Sequence, residues 1–428
     1  MGLPLEGLRV VDFSRVLAGP HCAQTLLELG ADVIKVEPPR GDLSRFAFPR
    51  TGEVSGYYAQ QNSGKRNVSV DLNVAAAREV ALRLCDSADV IVENFRPGTL
   101  ASFGLDYASV AARNPTVVYA SISGYGQTGP WRGRMAYAPT VQAESGLTAT
   151  TATHHGHAYG RLRGDSLSHA DVYSGLQAAI AILAALHHRE QTGEGQYVDV
   201  AMAAVMLAIN ERVHVDLSNV DLGAERPILG ATDHPFFTSP EGTVFVSPMS
   251  LVGSLTFPFY LAAMRRPDLA DDPRFATPEL RLEHLAELHA LVQTWILTFD
   301  DMASLDAQLD EAKIATGRLR GIREFAETEW ARSWPATRRV PDRSGGDITV
   351  PGRPWHFSLD AAPPPPRVPA LQGEHNEEVL AALGYSAAEV DHLRTQGALV
   401  QPGREIPPPE GQAEVTGGAL PPVTTRTR

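Results

Sequence analysis

Cysteine is nearly absent: Cys22 and Cys85 are the two in 428 residues. Two thiols cannot build a disulfide framework or a cysteine-based metal site. Reduced thiols in a cytoplasmic protein are the expectation. Positive charge is also short. Thirty-seven Lys and Arg against 50 Asp and Glu leave a net charge of −13, which excludes the basic footprint of a nucleic-acid binder. A polyanionic small ligand remains compatible, because a local cluster of cations can hold one. Long hydrophobic runs are missing. Ala178–Leu186 is very apolar but far shorter than the roughly 20 residues of a membrane span. It reads as a buried core helix, and no membrane association is expected. The opening stretch, MGLPLEGLRVVDFSRV, lacks the basic start and apolar centre of a signal peptide. Histidine is plentiful, yet HExxH and Cys/His spacings are absent. His154, His155 and His157 read as solvated loop residues and His187–His188 as a helix end, so no metal is expected. GxGxxG and GxSxG are absent too. That argues against a nicotinamide site of the usual kind and against a serine hydrolase.

What is present is an alternation of strands and helices. Leu8–Phe13, Asp32–Glu37, Asp89–Glu93 and Thr116–Ile122 are apolar, β-rich runs. His21–Leu29, Val74–Ser87 and Tyr107–Arg113 have helical spacing between them. Near-continuous apolar strands linked by helices predict a parallel sheet covered on both faces. Ligands of such sheets bind beyond the carboxyl ends of the strands. Those ends carry Ser14–Pro20, Glu37–Asp42, Asn94–Gly98 and Ser123–Gly129. Lys35, Arg40, Arg45, Lys65, Arg66 and Arg96 lie in or beside them, as a phosphorylated ligand would need. The pattern changes near residue 225. The expected order is a large domain from 1–224, a smaller α+β domain from 225–330 and a return to the large domain over 331–402. A strand over Thr243–Ser247 and helices over Leu251–Met264, Pro278–Thr298 and Phe299–Ala312 are expected in the smaller domain. The return carries a strand-like Ile348–Ser358, a stiff Pro363–Pro366 linker and helices over Glu377–Leu383 and Ala387–Thr395. An extended or disordered tail is expected over 403–428.

The stretch GDSLSHADVYSGLQAAIAILAALHHREQTGEGQYVDVAM, Gly164–Met202, carries the sharpest chemical signal. Two aspartates, Asp165 and Asp171, precede a long apolar helix closed by a Gly-rich turn. An aspartate at a helix N-terminus meets partial positive charge that favours the carboxylate. An ionised, fixed carboxylate can act as a nucleophile in acyl transfer. Plain helix capping is the other reading of the same residue.

Taken in order, the segments GLRVVDFSRVLAGP, LGADVIKVEPPRGD, NSGKRNVSVDL, ADVIVENFRPG, YASISGYGQTGP, HREQTGEGQYVDVAM, RPDLADDPRFAT, VPGRPWHF and LQGEHNEEVL resemble the family III CoA-transferases. That family takes in formyl-CoA transferases and α-methylacyl-CoA racemases. The resemblance implies a large Rossmann-like domain built from both chain ends, a small central domain, and an interlocked homodimer. It implies a nucleophilic aspartate four residues before a glycine at the start of the helix. Asp171, with Gly175, fits that spacing, and Asp165 lies six residues too early. The implied chemistry moves CoA from an acyl-CoA to a carboxylic acid through aspartyl anhydride and aspartyl-CoA thioester intermediates, with coenzyme A thioester as a substrate and no separate cofactor. Val16, Ala18, Lys35, Arg40, Asn94, Phe95, Arg96 and Tyr137 are the implied CoA contacts, by position or by charge. Gln61 and Asn62 are candidates to stabilise an oxyanion.

The match has departures. Leu17 replaces a glutamine of the formyl-CoA enzymes, and some of their CoA-contacting cations fall on Pro38, Ser102 and Met135. Their Gly-rich loop has no counterpart in Ala231–Ser247. Tyr137 stands where racemases of the family carry a histidine, and a phenol with a pKa of about 10 is a poor base at neutrality. Racemisation and a non-catalytic CoA-binding role are therefore the alternatives to transfer.

Overall fold

The computed structural model describes residues 3–154, 167–211, 213–218, 235–358 and 367–400. Asp165, the Pro363–Pro366 linker and the tail over 403–428 lie outside them. The chain divides into two compact units. One comprises Met1–Thr150, Arg161–Ile209 and Pro335–Arg428, the other Thr151–Gly160 and Asn210–Trp334.

In the first unit, the strands up to residue 201 are β1 (Arg9–Asp12), β2 (Asp32–Glu37), β3 (Arg50–Thr51), β4 (Val54–Ser55), β5 (Arg66–Ser69), β6 (Val90–Glu93), β7 (Val118–Ser123) and β8 (Gln196–Ala201), and an antiparallel pair, Thr337–Pro341 with Asp347–Pro351, follows in the returning chain. β3 and β4 form a small antiparallel pair. The other six make one sheet in the order β5-β2-β1-β6-β7-β8, and every neighbouring pair is parallel. The register aligns Val33, Val10, Val90 and Val118 across one face, and Ile34, Val11, Ile91 and Tyr119 across the other. Side chains alternate between faces along a strand, so the apolar runs supply two cores at once. The parallel sheet expected from those runs is present.

Seven helices of this part of the chain are α1 (Ala18–Glu28), α2 (Gly56–Asn62), α3 (Ala75–Asp86), α4 (Tyr107–Ala111), α5 (Ala138–Glu144), α6 (Leu147–His154) and α7 (His169–Thr192). On one face Cys22, Ala23 and Leu26 of α1 and Ala178, Ile182 and Ala185 of α7 pack with Val10, Val90 and Val118. On the other, Val80, Ala81 and Leu84 of α3 share a core with Val11 and Ile91. Val379, Leu380 and Leu393 join that second core, and Leu399 bridges to Val70. By length and composition α7 is long and apolar enough to cross a membrane, although no single apolar run in the sequence reaches that length. Its buried stripe is a core stripe, continuous with the sheet.

The second unit holds β9 (Phe236–Thr238), β10 (Val244–Val246) and β11 (Gly317–Arg318), antiparallel in the order β11-β10-β9. Phe237, Phe245, Tyr260, Leu288, Val292 and Leu305 lie in its core. Two helices differ from expectation. The helix expected from Leu251 begins at Phe257, with a proline in its first turn, a position proline favours. The helix expected over Pro278–Thr298 is two helices, Pro278–Glu283 and Leu285–Ile296. The strand expected over Ile348–Ser358 ends at Pro351, where prolines remove ladder donors.

Candidate active site

Asp171 is the third residue of α7, after the N-cap Ser168. Ser168 makes no side-chain cap. Gln142 of α5 takes that role instead, accepting from Ala170 N–H at 3.3 Å. The Asp171 carboxylate accepts a hydrogen bond from the backbone N–H of Ala18, in the first turn of α1. It is therefore turned to a neighbouring helix, and simple capping of its own helix does not describe it. Gly175, one turn on, explains the approach. A Cβ there would lie 2.6 Å from the Ala18 carbonyl oxygen and 3.2 Å from Cys22 N. Only a residue without a side chain lets α7 come this close to α1.

Burial pushes the Asp171 carboxyl up to about 6, against the pull of the Ala18 N–H. Sequence reasoning expected the helix end to favour the carboxylate outright. Desolvation outweighs that here, and the group is still mostly ionised at neutral pH. Tyr57 of α2 stands near it. Burial, then the charges of Asp171 and Asp42, raise the Tyr57 hydroxyl to about 12, so it remains a proton-bearing donor. The sequence reading missed Tyr57, because nothing in SGYYAQQN separates it from the buried Tyr58 beside it.

The loop between β1 and α1 is fixed from below by buried charge. Lys35 Nζ lies 2.9 Å from Asp42 and donates to the Ser14 carbonyl at 2.8 Å. Lys65 Nζ lies 2.9 Å from Asp12 and donates to the Pro20 carbonyl at 3.0 Å. All four side chains are within 1% of complete burial. Asp42 is drawn down to about 2, because Lys35 and the Ser44 amide outweigh its desolvation. Asp42 also accepts the Val16 N–H at 3.1 Å. Val16 has φ +67°, a left-handed conformation costly for a β-branched residue. Asn94 clamps the same loop, accepting from Arg15 N–H and donating to the Arg15 carbonyl, both at 2.8 Å. Gly19 completes the turn: a Cβ there would fall 2.1 Å from Ser14 Cβ.

The proposed contacts divide accordingly. Val16, Ala18, Arg40, Asn94, Phe95, Arg96 and Tyr137 all follow strands of the sheet at its carboxyl edge. Arg40 and Arg96 are exposed, and Arg96 donates to the Gly133 carbonyl at 2.6 Å. Phe95 is half-buried under the Arg15 guanidinium, 5.3 Å from its ring centre. Its N–H is held at 2.8 Å by Glu93, whose carboxyl burial raises to about 7. Tyr137 is 64% exposed and precedes α5. Lys35 does not belong with them. It is fully buried with its ammonium spent on Asp42 and Ser14, so it supports the loop from inside. Asn62 is likewise spent, on Lys65 at 3.0 Å, and Gln61 pairs with His21 at 3.1 Å. Among the described residues, no three His, Cys, Asp or Glu side chains gather to hold a metal ion.

Residues 5–376 match a family model described as CoA-transferase family III. The chain is 32% identical over 419 residues to a formyl-CoA:oxalate CoA-transferase of Streptomyces avermitilis, covering 92% of this chain and 99% of that one. It is 33% identical over 397 residues to a succinyl-CoA:mesaconate CoA-transferase of Haloarcula hispanica, covering 89% and 96%. A solved structure of a CAIB/BAIF family protein from Brucella suis is similar with a TM-score of 0.73 and 30% identity, over 90% of this chain and all of that one.

Proposed function

The chain belongs to CoA-transferase family III, and we propose that it moves CoA from an acyl-CoA to a carboxylic acid with Asp171 as the nucleophile. The observation that carries this reading is the Asp171 carboxylate, uncommitted to its own helix and held at the Ala18 N–H. In the first step a carboxylate oxygen of Asp171 attacks the thioester carbonyl carbon. The C–S bond breaks and CoA leaves as thiolate, giving a mixed anhydride. The thiolate then attacks the aspartyl carbonyl, releasing the donor acid and leaving an aspartyl-CoA thioester. The acceptor carboxylate displaces CoA from that thioester to form a second anhydride. Thiolate attack on the acceptor carbonyl frees Asp171 and the new acyl-CoA. No electrons and no net protons change hands. The exposed cations Arg40 and Arg96 suit the phosphates of CoA, with Val16, Ala18 and Phe95 as backbone and apolar contacts. Asn94 and Lys35 hold the loop that presents them. The Tyr57 hydroxyl is a donor for the oxyanion that develops beside Asp171.

Hydroxylamine trapping tests the nucleophile. With acyl-CoA and hydroxylamine present, the Asp171 peptide should gain a hydroxamate, read by peptide mass. Asp171→Ala should lower transfer by about four orders of magnitude or more, with the fold retained as read by circular dichroism. An unmodified Asp171 peptide in an enzyme shown to turn over would overturn the assignment. The assembly that goes with this reading is an interlocked homodimer. Tagged and untagged subunits should then stay unmixed under native conditions and mix only after unfolding and refolding. Mixed dimers forming within minutes would rule it out.

A further inference from the structure

Glu93 ends β6 at the carboxyl edge of the sheet and is 6% exposed. Side chains alternate along a strand, so it shares the face of Ile91, which lies in a core with Val11 and Tyr119. Burial raises its carboxyl to about 7. The Ser121 hydroxyl and the Phe95 N–H favour its charge, and the Asp199 carboxylate opposes it. None of these groups is a cation. Glu37, which ends β2 in the same sheet, is built differently and pairs with Arg45 at 2.8 Å. A buried carboxyl without a cation is costly. For the sheet alone, an apolar side chain at this position would serve better. What the carboxyl does that an apolar group could not do is hold a loop.

Glu93 Oε2 accepts from the Phe95 N–H at 2.8 Å. Phe95 is the middle of three residues, each tied to a different place. Asn94 clamps Arg15 through its N–H and its carbonyl, both at 2.8 Å. The Phe95 ring lies under the Arg15 guanidinium, 5.3 Å from its centre. Arg96 donates to the Gly133 carbonyl at 2.6 Å, in the segment after β7. The row of the sheet that holds Glu93 reaches this segment too. The register aligns Glu93 with Ser121 and Ser121 with Asp199, and Asp199 accepts the Gln127 N–H at 2.9 Å. Residues 94–96 therefore join the loop leading to Ala18 with the loop after β7, and the hold on Phe95 lies at their centre.

We propose that Glu93 is a positioning residue for coenzyme A: through the Phe95 N–H it fixes residues 94–96 in the form that binds CoA. The proposal rests on the reading of these residues as CoA contacts. Titration calorimetry of the full-length protein with CoA at pH 8, beside turnover at saturating acyl-CoA, tests it. Glu93→Met keeps length and bulk but offers the N–H no oxygen. Its Kd for CoA should rise about tenfold or more, with kcat within twofold of wild type and the melting temperature kept. Glu93→Gln keeps an acceptor oxygen at the same reach and should bring Kd back to within threefold. It should also melt higher than wild type at pH 8, because there the wild-type carboxyl is ionised and bears the cost of burial. Affinity and stability thus move apart, which a purely structural role would not produce. Should Glu93→Met misfold, Glu93→Ala removes the same oxygen without the bulk and carries the same expectation for Kd. A Met or Ala variant that binds CoA as wild type does would overturn the proposal and leave the reading of the loop standing. So would a rise in Kd that Glu93→Gln does not relieve. No saturable CoA binding by the wild type would overturn the reading of the loop, and the proposal with it.

Discussion

Two buried ionic clusters sit at the two ends of α1, and they are built differently. At the N-terminal end, Lys35 and Lys65 face Asp42 and Asp12, two cations against two anions. Lys35 also donates to the Ser14 carbonyl, and Lys65 to the Pro20 carbonyl and to Asn62. The two charges of each sign balance. At the C-terminal end, Arg338 and Arg367 share Glu28, and Arg338 Nε and Glu28 Oε2 have no hydrogen-bond partner among the described residues. Both clusters read as "basic residues" in a sequence. What separates them is whether the charges and hydrogen bonds close on themselves. A closed cluster is scaffold: here it holds the strained Val16 and the Ala18 amide in place for Asp171.

The sharpest way to break this comparison is to unbalance the closed cluster. Lys35→Met leaves Asp42 buried without its cation. Removing one partner of a buried pair costs about 3–5 kcal/mol, so the urea midpoint should fall steeply. Arg338→Gln should cost far less, because Glu28 keeps Arg367 as a partner. If Lys35 instead contacted CoA, its loss would raise KM for the acyl-CoA and leave stability alone. Denaturation curves and KM values for the two variants decide between these outcomes.

A second substitution tests the link from scaffold to site. In Gly175→Ala the new Cβ would sit 2.6 Å from the Ala18 carbonyl. The helices must part, and the Asp171 carboxylate moves off the Ala18 N–H. Displacement of this order costs about a hundredfold in rate, with about 1–3 kcal/mol of stability from overpacking. The loss should fall on kcat more than on KM. A variant with normal kcat would mean that the close approach of α7 to α1 does not set the position of Asp171.

The sheet was legible because its strands are near-continuous apolar runs, and such runs have few alternatives in a chain that also carries helical spacing between them. The place of Asp171 at the start of a long helix was legible, and the family resemblance singled it out by its distance from Gly175. The reason for that glycine was not, since it lies in the contact between α7 and α1. Lys35 was misread. Its setting in DVIKVE held a usable signal: a lysine inside an apolar strand of a two-sided sheet has to be buried and paired. Tyr57 and the arginine cluster had no such signal. Tyr57 comes within electrostatic range of Asp171 only in the folded chain. Glu28, Arg338 and Arg367 come from opposite ends of the chain, and no local pattern links them.

Asp171 is a third kind of buried charge, with neither a balancing cation nor an excess one, and it gives the smallest expected effect. Its carboxyl is raised from an ordinary 3.8 to about 6 by burial. The folded protein therefore holds that proton more tightly than the unfolded chain does. Below about pH 4 the group is protonated in both states and costs nothing. Between 4 and 6 ionisation increasingly favours the unfolded chain, and above 6 the cost is constant. Asp171→Asn removes the cost while keeping an oxygen for the Ala18 N–H. The variant should be about 2 kcal/mol more stable than wild type at pH 8, allowing for partial solvent screening, and equal to it near pH 4. In the active enzyme the same ionisation governs the nucleophile, so kcat/KM should rise about tenfold per pH unit below 6 and level off above it. Urea melts at the two pH values and a pH–rate profile measure the two effects separately. A variant no more stable than wild type at pH 8, with a rate limb near 4, would show that Asp171 is as well solvated as a surface carboxylate.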